Sequence, residues 1–464
     1  MYRLSLNFYQ PKNEHLLKYS SRIVTSGIFI LLTLMNINYT SAAESDPLLD
    51  SLIGVALSQH PDLESMTQMI EATKAERSMA NGWMNPELRL ELMDLPENLR
   101  YNEDPATAFQ IGVSQQIPWK GKRASAGAAV NARLEGERQG LEASRQEMAA
   151  MVAMAYYELA ALEEEKILLE EGLVRNREMA KSAGWMAGSA MGKLSDMDRA
   201  QLEEENWKLK IVAVNGGIKR QRATLSYLTG IDIDTVSLAS ARLPDGLPSL
   251  PVLDSLLLPE VLDSVPVMKE VLAGSMAADN ELNSARLDWY PDVELMLSYA
   301  IKPDLKTDGG VDHTGQPLPS GTFDQMDMIS VGVAFPLPLW SNGNQRAKIS
   351  EKQAMKRVAI TQIAKTRLQL INEIRQLHAS WEEENNCCAF VGETIIGRAE
   401  SLYRTTLIDY QSGKSSFMEL SQARMSLLMA KMELSMSRGR AWNARAMLHA
   451  KLGILVPSSS EVSR

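Results

Sequence analysis

Two long stretches of this chain contain no proline, one between Pro118 and Pro244 and the other between Pro338 and Pro457. Proline removes a backbone donor and clashes with the preceding turn, so such gaps are where a helix can run uninterrupted. Apolar spacing supplies the positive argument. Met148, Val152, Ala155, Leu159, Leu162, Leu169 and Leu173 follow a three-four rhythm in the first stretch, with Lys166 as the exception. Leu370, Ile374, Leu377, Trp381, Cys388, Val391, Ile395 and Leu402 do so in the second, broken at Glu384 and Arg398. These stripes predict long helices packed as in a coiled coil, with an imperfect seam. Glycine-containing tips, GSAMGK at 188–193 and QSGKSS at 411–416, fold each stretch into a helical hairpin.

A different period precedes each hairpin. The helix-like segments Asp46 to Trp83 and Pro259 to Trp289 each end ahead of a proline. After Pro86, Leu88, Leu90 and Leu92 alternate with Glu87, Arg89 and Glu91; after Pro291, Val293, Leu295, Leu297 and Tyr299 alternate with Asp292, Glu294 and Ser298. Period two means a strand with two unlike faces. Return strands follow at Phe109, Ile111 and Val113 and at Ile329, Val331, Val333 and Phe335, across loops at 94–106 and 302–325. PELRLEL at 86–92 matches PDVELML at 291–297, and GKLSDMDRAQ at 192–201 matches GKSSFMELSQ at 413–422, which predicts an internal duplication. Length agrees with that plan. At about 1.5 Å per residue, residues 122–187 span roughly 100 Å, close to 46–83 and 193–230 stacked end to end.

The predicted strands have the length and alternation of tilted outer-membrane strands. Four of them cannot close a water-filled barrel, so several chains must pool their strands, and three chains would supply twelve. Residues 1–43 read as an export signal: Arg3, Lys12, Lys18 and Arg22 precede the apolar run Gly27 to Ile37 and the small residues Ser41, Ala42 and Ala43. No later run of 18 apolar residues predicts a membrane-spanning helix. A net charge of −10, from 58 acidic against 48 basic residues, argues against nucleic acid as a partner. Five His and two adjacent Cys leave no zinc-type ligand set and no disulfide framework. GxSxG and HExxH are absent, so neither catalytic residues nor a cofactor is expected. GSAMGKLS is one residue short of a phosphate loop and follows no strand. Met148, Met151 and Met154 fit a packing seam better than a soft-metal site, and Cys387 and Cys388 are read as packing. Lys120, Lys122 and Arg123 suit lipid phosphates and, equally, a solvated helix start.

Taken together, QHPDL at 59–63, NPEL at 85–88, QQIPWKGKR at 115–123, the two tips and SLLMAKMELSMSRGRAWNARAMLHAKLG at 426–453 resemble the TolC-like outer-membrane efflux family. The resemblance covers essentially the whole chain after residue 43. It implies a mixed, mostly α fold: a homotrimer whose twelve-stranded transmembrane β-barrel, four strands per chain, continues into a periplasmic α-helical barrel. The implied layout is a signal peptide at 1–43, repeats at 44–230 and 259–453, an equatorial linker at 231–258 and a C-terminal tail at 454–464. Such a protein would be a passive, gated exit duct in the outer membrane, extending into the periplasm and working with a periplasmic adaptor and an inner-membrane pump.

By alignment on the tip glycines, Asp198 and Tyr410 fall where family members place a hydrogen-bonded gating pair, and Glu419 falls on an acidic constriction. Gln422 and Ser415 depart from the family's acidic and basic residues there, which implies a weaker latch and a smaller ring. Gly192, Lys193, Leu194 and Ser195, with Gly413, Lys414, Ser415, Ser416 and Phe417, resemble the adaptor-docking tips, Phe417 offering an apolar anchor. Ordinary polar helix ends and tight turns would use the same residue types. The exit channel of a type I protein secretion system shares this layout, and an exported soluble coiled-coil scaffold would share the hairpins.

Overall fold

The computed structural model describes residues 46–97, 99–188, 194–233, 241–244, 246–307, 309–311, 316–318, 320–337 and 341–457. The chain divides into two compact units, Met1–Asp50 and Ser51–Arg464. The Leu48 N–H donates to Asp46 Oδ1 at 3.0 Å and opens helix α1, Pro47–Gln59, which begins in the first unit and ends in the second. The expected signal segment lies outside the described residues.

Where one helix from Asp46 to Trp83 was expected, the structure has two, because Pro61 cannot continue the helix before it. α1 stops at Gln59, and α2 runs from Pro61 to Asn81. His60 caps α2, its Nδ1 accepting the Asp62 N–H at 3.3 Å. The same event recurs at Pro266. The short helices α5 (Leu253–Leu256) and α6 (Pro259–Ser264) precede α7, Pro266–Leu287.

The long helices match their expected extents. α3 covers Lys122–Gly188, 67 residues, and α4 Leu194–Thr229. In the other half α8 covers Ser341–Phe390, a π turn Val391–Ile395 follows without a break, and α9 covers Ile396–Gln411. α10, Phe417–Leu452, closes the second hairpin and ends at Gly453, whose φ of 74° suits a residue without Cβ. α3 packs against α2, α4, α7 and α10, and α8 against α7 and α10. Met148, Val152, Ala155, Leu159 and Leu169 are all buried, as the stripe requires. The second stripe holds from Leu370 through Val391 and then slips. Ile395 and Leu402 are exposed, while Ala399 is buried. A π turn accommodates one extra residue, so the buried face resumes one position later, at Ala399 instead of Arg398.

A second cluster lies within the second half, with Leu256 ahead of it. Leu256, Leu262, Val265 and Met268 pack on Leu370 and Ile374 of α8 and on Leu448 and Leu452 of α10. The chain ahead of α5 is tied down through alternate carbonyls: Pro244 O accepts from Arg438, Gly246 O from Trp442 and Pro248 O from Trp381. Buried Gln146 treats residues 455 and 456 as a peptide partner, accepting both N–H groups and donating to Val456 O at 2.7 Å.

Four strands, β1 (Glu87–Met93), β2 (Ala108–Ile117), β3 (Val293–Ile301) and β8 (Met328–Ala334), form one antiparallel sheet in the order β1-β2-β3-β8. Residues 302–325, expected as loop, instead carry short ladders. β4 (Leu305–Thr307) pairs with β7 (Gly321–Phe323), and β5 (Gly310–Val311) with β6 (Pro317–Leu318).

Candidate functional site

The sheet is the first functional surface, and its register gives it two chemically different faces. Leu88, Leu90 and Leu92 stand opposite Val113, Ile111 and Phe109. Ile111 and Val113 stand opposite Tyr299 and Leu297, which in turn face Ile329 and Val331. Side chains alternate across a strand, so partners in register share a face, and one face is apolar through all four strands except at Gln115. The other is mixed and more polar: Glu87, Arg89, Glu91 and Met93, then Ala108, Gln110, Gly112, Ser114 and Gln116, then Glu294, Met296, Ser298 and Ala300, then Met328, Ser330, Gly332 and Ala334. Within the chain the apolar face is left bare, with Leu88 67% and Val331 78% exposed. β1 and β8 are the outer strands of this sheet.

Aromatic residues collect where the sheet meets the helices. Trp119 stacks on Tyr290 with centroids 5.1 Å apart, and the Arg123 guanidinium lies 4.3 Å from the centroid of exposed Trp83. Tryptophan and tyrosine favour the membrane-water boundary. Two of the three basic residues suggested for lipid phosphates are used internally. Lys122 pairs with Asp292 at 2.8 Å, while Arg123 donates to the Asn81 carbonyl. Asp292 also accepts the Trp119 N–H at 2.8 Å, stitching the end of β2 to the start of β3.

The second hairpin tip is closed by its own backbone. Gly413 has a φ of 73°, and the Lys414 N–H donates to Asp409 O at 2.8 Å. Ser416 caps α10 in a reciprocal box: its hydroxyl accepts the Glu419 N–H, and the Glu419 carboxylate accepts the Ser416 N–H at 2.8 Å. The Ser415 hydroxyl donates to the same carboxylate at 2.6 Å. Glu419 thus has a local structural task, and the Ser415 hydrogen bond, followed by the Ser416 N–H, holds its pKa below the usual carboxylate value.

Phe417 departs from the expected exposed anchor. It is 1% exposed, packed on Ala200 of α4, with Met179, Ala180 and Tyr410 around it. The reason is geometric. As the first residue of a capped helix that lies against the other hairpin, its side chain is directed into the gap between them. Tyr410 meets Phe417 edge-on at 6.3 Å, and Asp198 is exposed on α4, two residues from Ala200. The structure therefore brings Tyr410 and the 198–200 segment to one neighbourhood through a residue that was expected to face outward. Ser195 and Lys414 are exposed, Leu194 opens α4, and Gly192 and Lys193 lie outside the described residues.

Cys388 is buried, and Cys387 accepts a hydrogen bond from Ser437 at 3.3 Å. Burial pushes the Cys388 thiol up to about 11, so it stays protonated and packs as a small apolar group. Among the described residues, no three His, Cys, Asp or Glu side chains could hold a metal ion, and no helix is long and apolar enough to cross a membrane.

The sequence profile of the outer membrane efflux protein family matches residues 52–231 and 257–454. The chain belongs to that family. Its place is the outer membrane, extending into the periplasm, and the family is one of channels, not enzymes. The chain is 22% identical over 409 residues to the cobalt-zinc-cadmium resistance protein CzcC of Cupriavidus metallidurans, covering 87% of this chain and 90% of that protein. Its fold is similar to that of the outer membrane protein VceC of Vibrio cholerae, with a TM-score of 0.71, 19% identity and coverage of 88% and 96% of the two chains. The outer-membrane channel OprN is similar as well, with a TM-score of 0.73, 16% identity and coverage of 88% and 90%. With the family shown, the soluble scaffold reading falls.

Proposed function

We propose that this chain is the exit duct of a tripartite efflux system, passing metal ions from the periplasm to the exterior as a homotrimer. The observation that carries this reading is the sheet, apolar on one face, more polar on the other and ending in two outer strands. In lipid an open edge leaves donors and acceptors unpaired, so β1 of one copy must meet β8 of the next. Three copies make twelve strands around a polar lumen. The similarity to a cobalt-zinc-cadmium resistance protein supports metal ions as cargo, ahead of a secreted polypeptide. The net charge of −10 favours cations over anions in such a lumen. Energy would come from an inner-membrane pump docked through a periplasmic adaptor.

The layout on this reading is an export signal at 1–43, duplicated repeats at 44–230 and 259–453, a linker at 231–258 and a tail at 454–464. Asp198 and Tyr410 serve as the gating latch, and Glu419 of each copy contributes to an anionic ring at the mouth. The exposed tip residues around Ser195 and Gly413 to Ser416 take the adaptor, while Phe417 supports them from behind. Single-channel conductance in a planar bilayer tests pore and gate together. A small resting conductance that rises in Asp198→Ala, Tyr410→Phe supports both. An unchanged double variant removes the latch, and a wild type that conducts nothing removes the duct.

A further inference from the structure

A glycine in mid-helix usually answers to something pressed against it, and Gly172 in α3 answers to Trp207 of α4. A Cβ on residue 172 would fall 2.5 Å from one indole ring carbon and 2.8 Å from the next, so no other residue fits without moving the ring. Trp207 is itself 3% exposed. The carbonyl of the same glycine accepts a hydrogen bond from Arg424 Nη2 of α10 at 2.6 Å. The Arg424 guanidinium carbon lies 5.9 Å from the Trp207 ring centroid, and its Nη1 is 3.5 Å from Met179 Sδ. Three helices from two hairpins therefore meet in one node. Met179 also borders the Phe417 socket, so the node and the tip are continuous.

The chemistry of this node suits a contact that opens and closes. Burial lowers the Arg424 pKa, with Arg175 adding to that shift and Tyr403, Glu203 and Glu178 opposing it. Its hydrogen bond is to a main-chain carbonyl. When α10 moves away, the guanidinium returns to water and the carbonyl keeps its place in the helix ladder. No opposite charge is left buried without a partner, the circumstance that makes a buried ion pair costly to break.

We propose that Gly172, Trp207 and Arg424 form a catch that holds the α9–α10 hairpin against the α3–α4 hairpin of the same chain and so keeps the periplasmic end closed. This inference rests on the duct reading and adds to it a positioning residue well behind the tip, two helical turns beyond Phe417.

The test uses the full-length trimer in planar bilayers. Arg424→Met keeps an unbranched stem against the indole and removes the fork, and Gly172→Ala displaces the indole instead. Both are expected to raise the mean conductance several-fold over wild type while leaving the thermal midpoint of the trimer within a few degrees. Arg424→Lys, which keeps charge without the fork, is expected to fall between. Should Arg424→Met fail to assemble, Gly172→Ala and Arg424→Lys decide. Wild-type conductance in all three variants, beside an enlarged one in Asp198→Ala, Tyr410→Phe, would overturn the catch and leave the duct standing. A wild type that conducts nothing would overturn both.

Discussion

The two long struts of the molecule are built differently. α3 runs 67 residues without interruption, whereas its counterpart is α8 and α9 joined through the π turn Val391–Ile395. The first strut keeps a single buried stripe from Met148 to Leu169, and the second changes phase at the π turn, burying Ala399 in place of Arg398. The difference teaches that a helix can absorb one surplus residue without losing its packing partner, provided the surplus sits in one widened turn. The shoulders differ too. α7 and α8 are joined by Lys348 to Asp288 at 2.6 Å, Lys352 to Glu281 at 2.9 Å and Lys356 to Asp279 at 2.6 Å. α2 and α3 meet through the pair Arg133 with Glu76 and a Thr73 to Glu137 hydrogen bond of 2.9 Å.

Deleting one residue from each strut should tell the two struts apart. Deleting Ala150 from α3 rotates all that follows by about 100° relative to what precedes it and is expected to abolish trimer assembly. Deleting exposed Gly392 turns the π turn into ordinary helix with Ala399 still in phase, so the trimer should survive, as read by size-exclusion chromatography in detergent. Equal failure of both would mean that the π turn is not a tolerated insertion. Next in size are Leu159→Ala and Ile374→Ala, each at 0% exposure. Each should cost about 2–5 kcal/mol by chemical denaturation, because cavity cost depends on burial and not on which strut is cut.

A third prediction concerns pH and belongs to the second half alone, since α4 has no histidine where α10 has His449. Burial, with Arg445 one turn away, pushes the His449 pKa down to about 4. The unfolded chain, with the ordinary histidine pKa of 6.5, binds the proton more readily. Stability is therefore complete above that value and lost as pH falls toward about 4, by at most about 3 kcal/mol per chain. His449→Gln should flatten the pH dependence of the thermal midpoint across that window; an unaltered slope would assign the loss to other groups. The smallest effect is at the shoulders. Lys352→Ala should cost under about 1 kcal/mol and only at low salt, as expected for a partly exposed pair.

Helix extents, strand positions and the two faces of the sheet were legible because they depend on local rules, the absence of proline and the periods 3.6 and 2. The break at Pro61 was legible in principle from the same rule that marks the breaks at Pro86 and Pro291. Arg398 stood out as an exception in the stripe, and the π turn explains it, but one polar residue does not reveal a one-residue slip. Ser416 followed by Glu419 is a readable capping pattern, and it points to the start of α10 and hence to a Phe417 that faces its neighbour. The partnership of Gly172, Trp207 and Arg424 was not legible at all, since residues far apart in sequence meet only when the hairpins pack.

If sheet edges of neighbouring copies pair to close a barrel, strand-edge cross-linking will capture that pairing. In a Cys387→Ser, Cys388→Ala background, Arg89→Cys in β1 is combined in turn with Met328→Cys, Ser330→Cys or Gly332→Cys in β8, and the oxidised protein is run on a non-reducing denaturing gel. The account predicts a covalent trimer at one of these registers, reduced to monomer by thiol. Monomer alone at every register, with the protein correctly placed in the outer membrane, would contradict it.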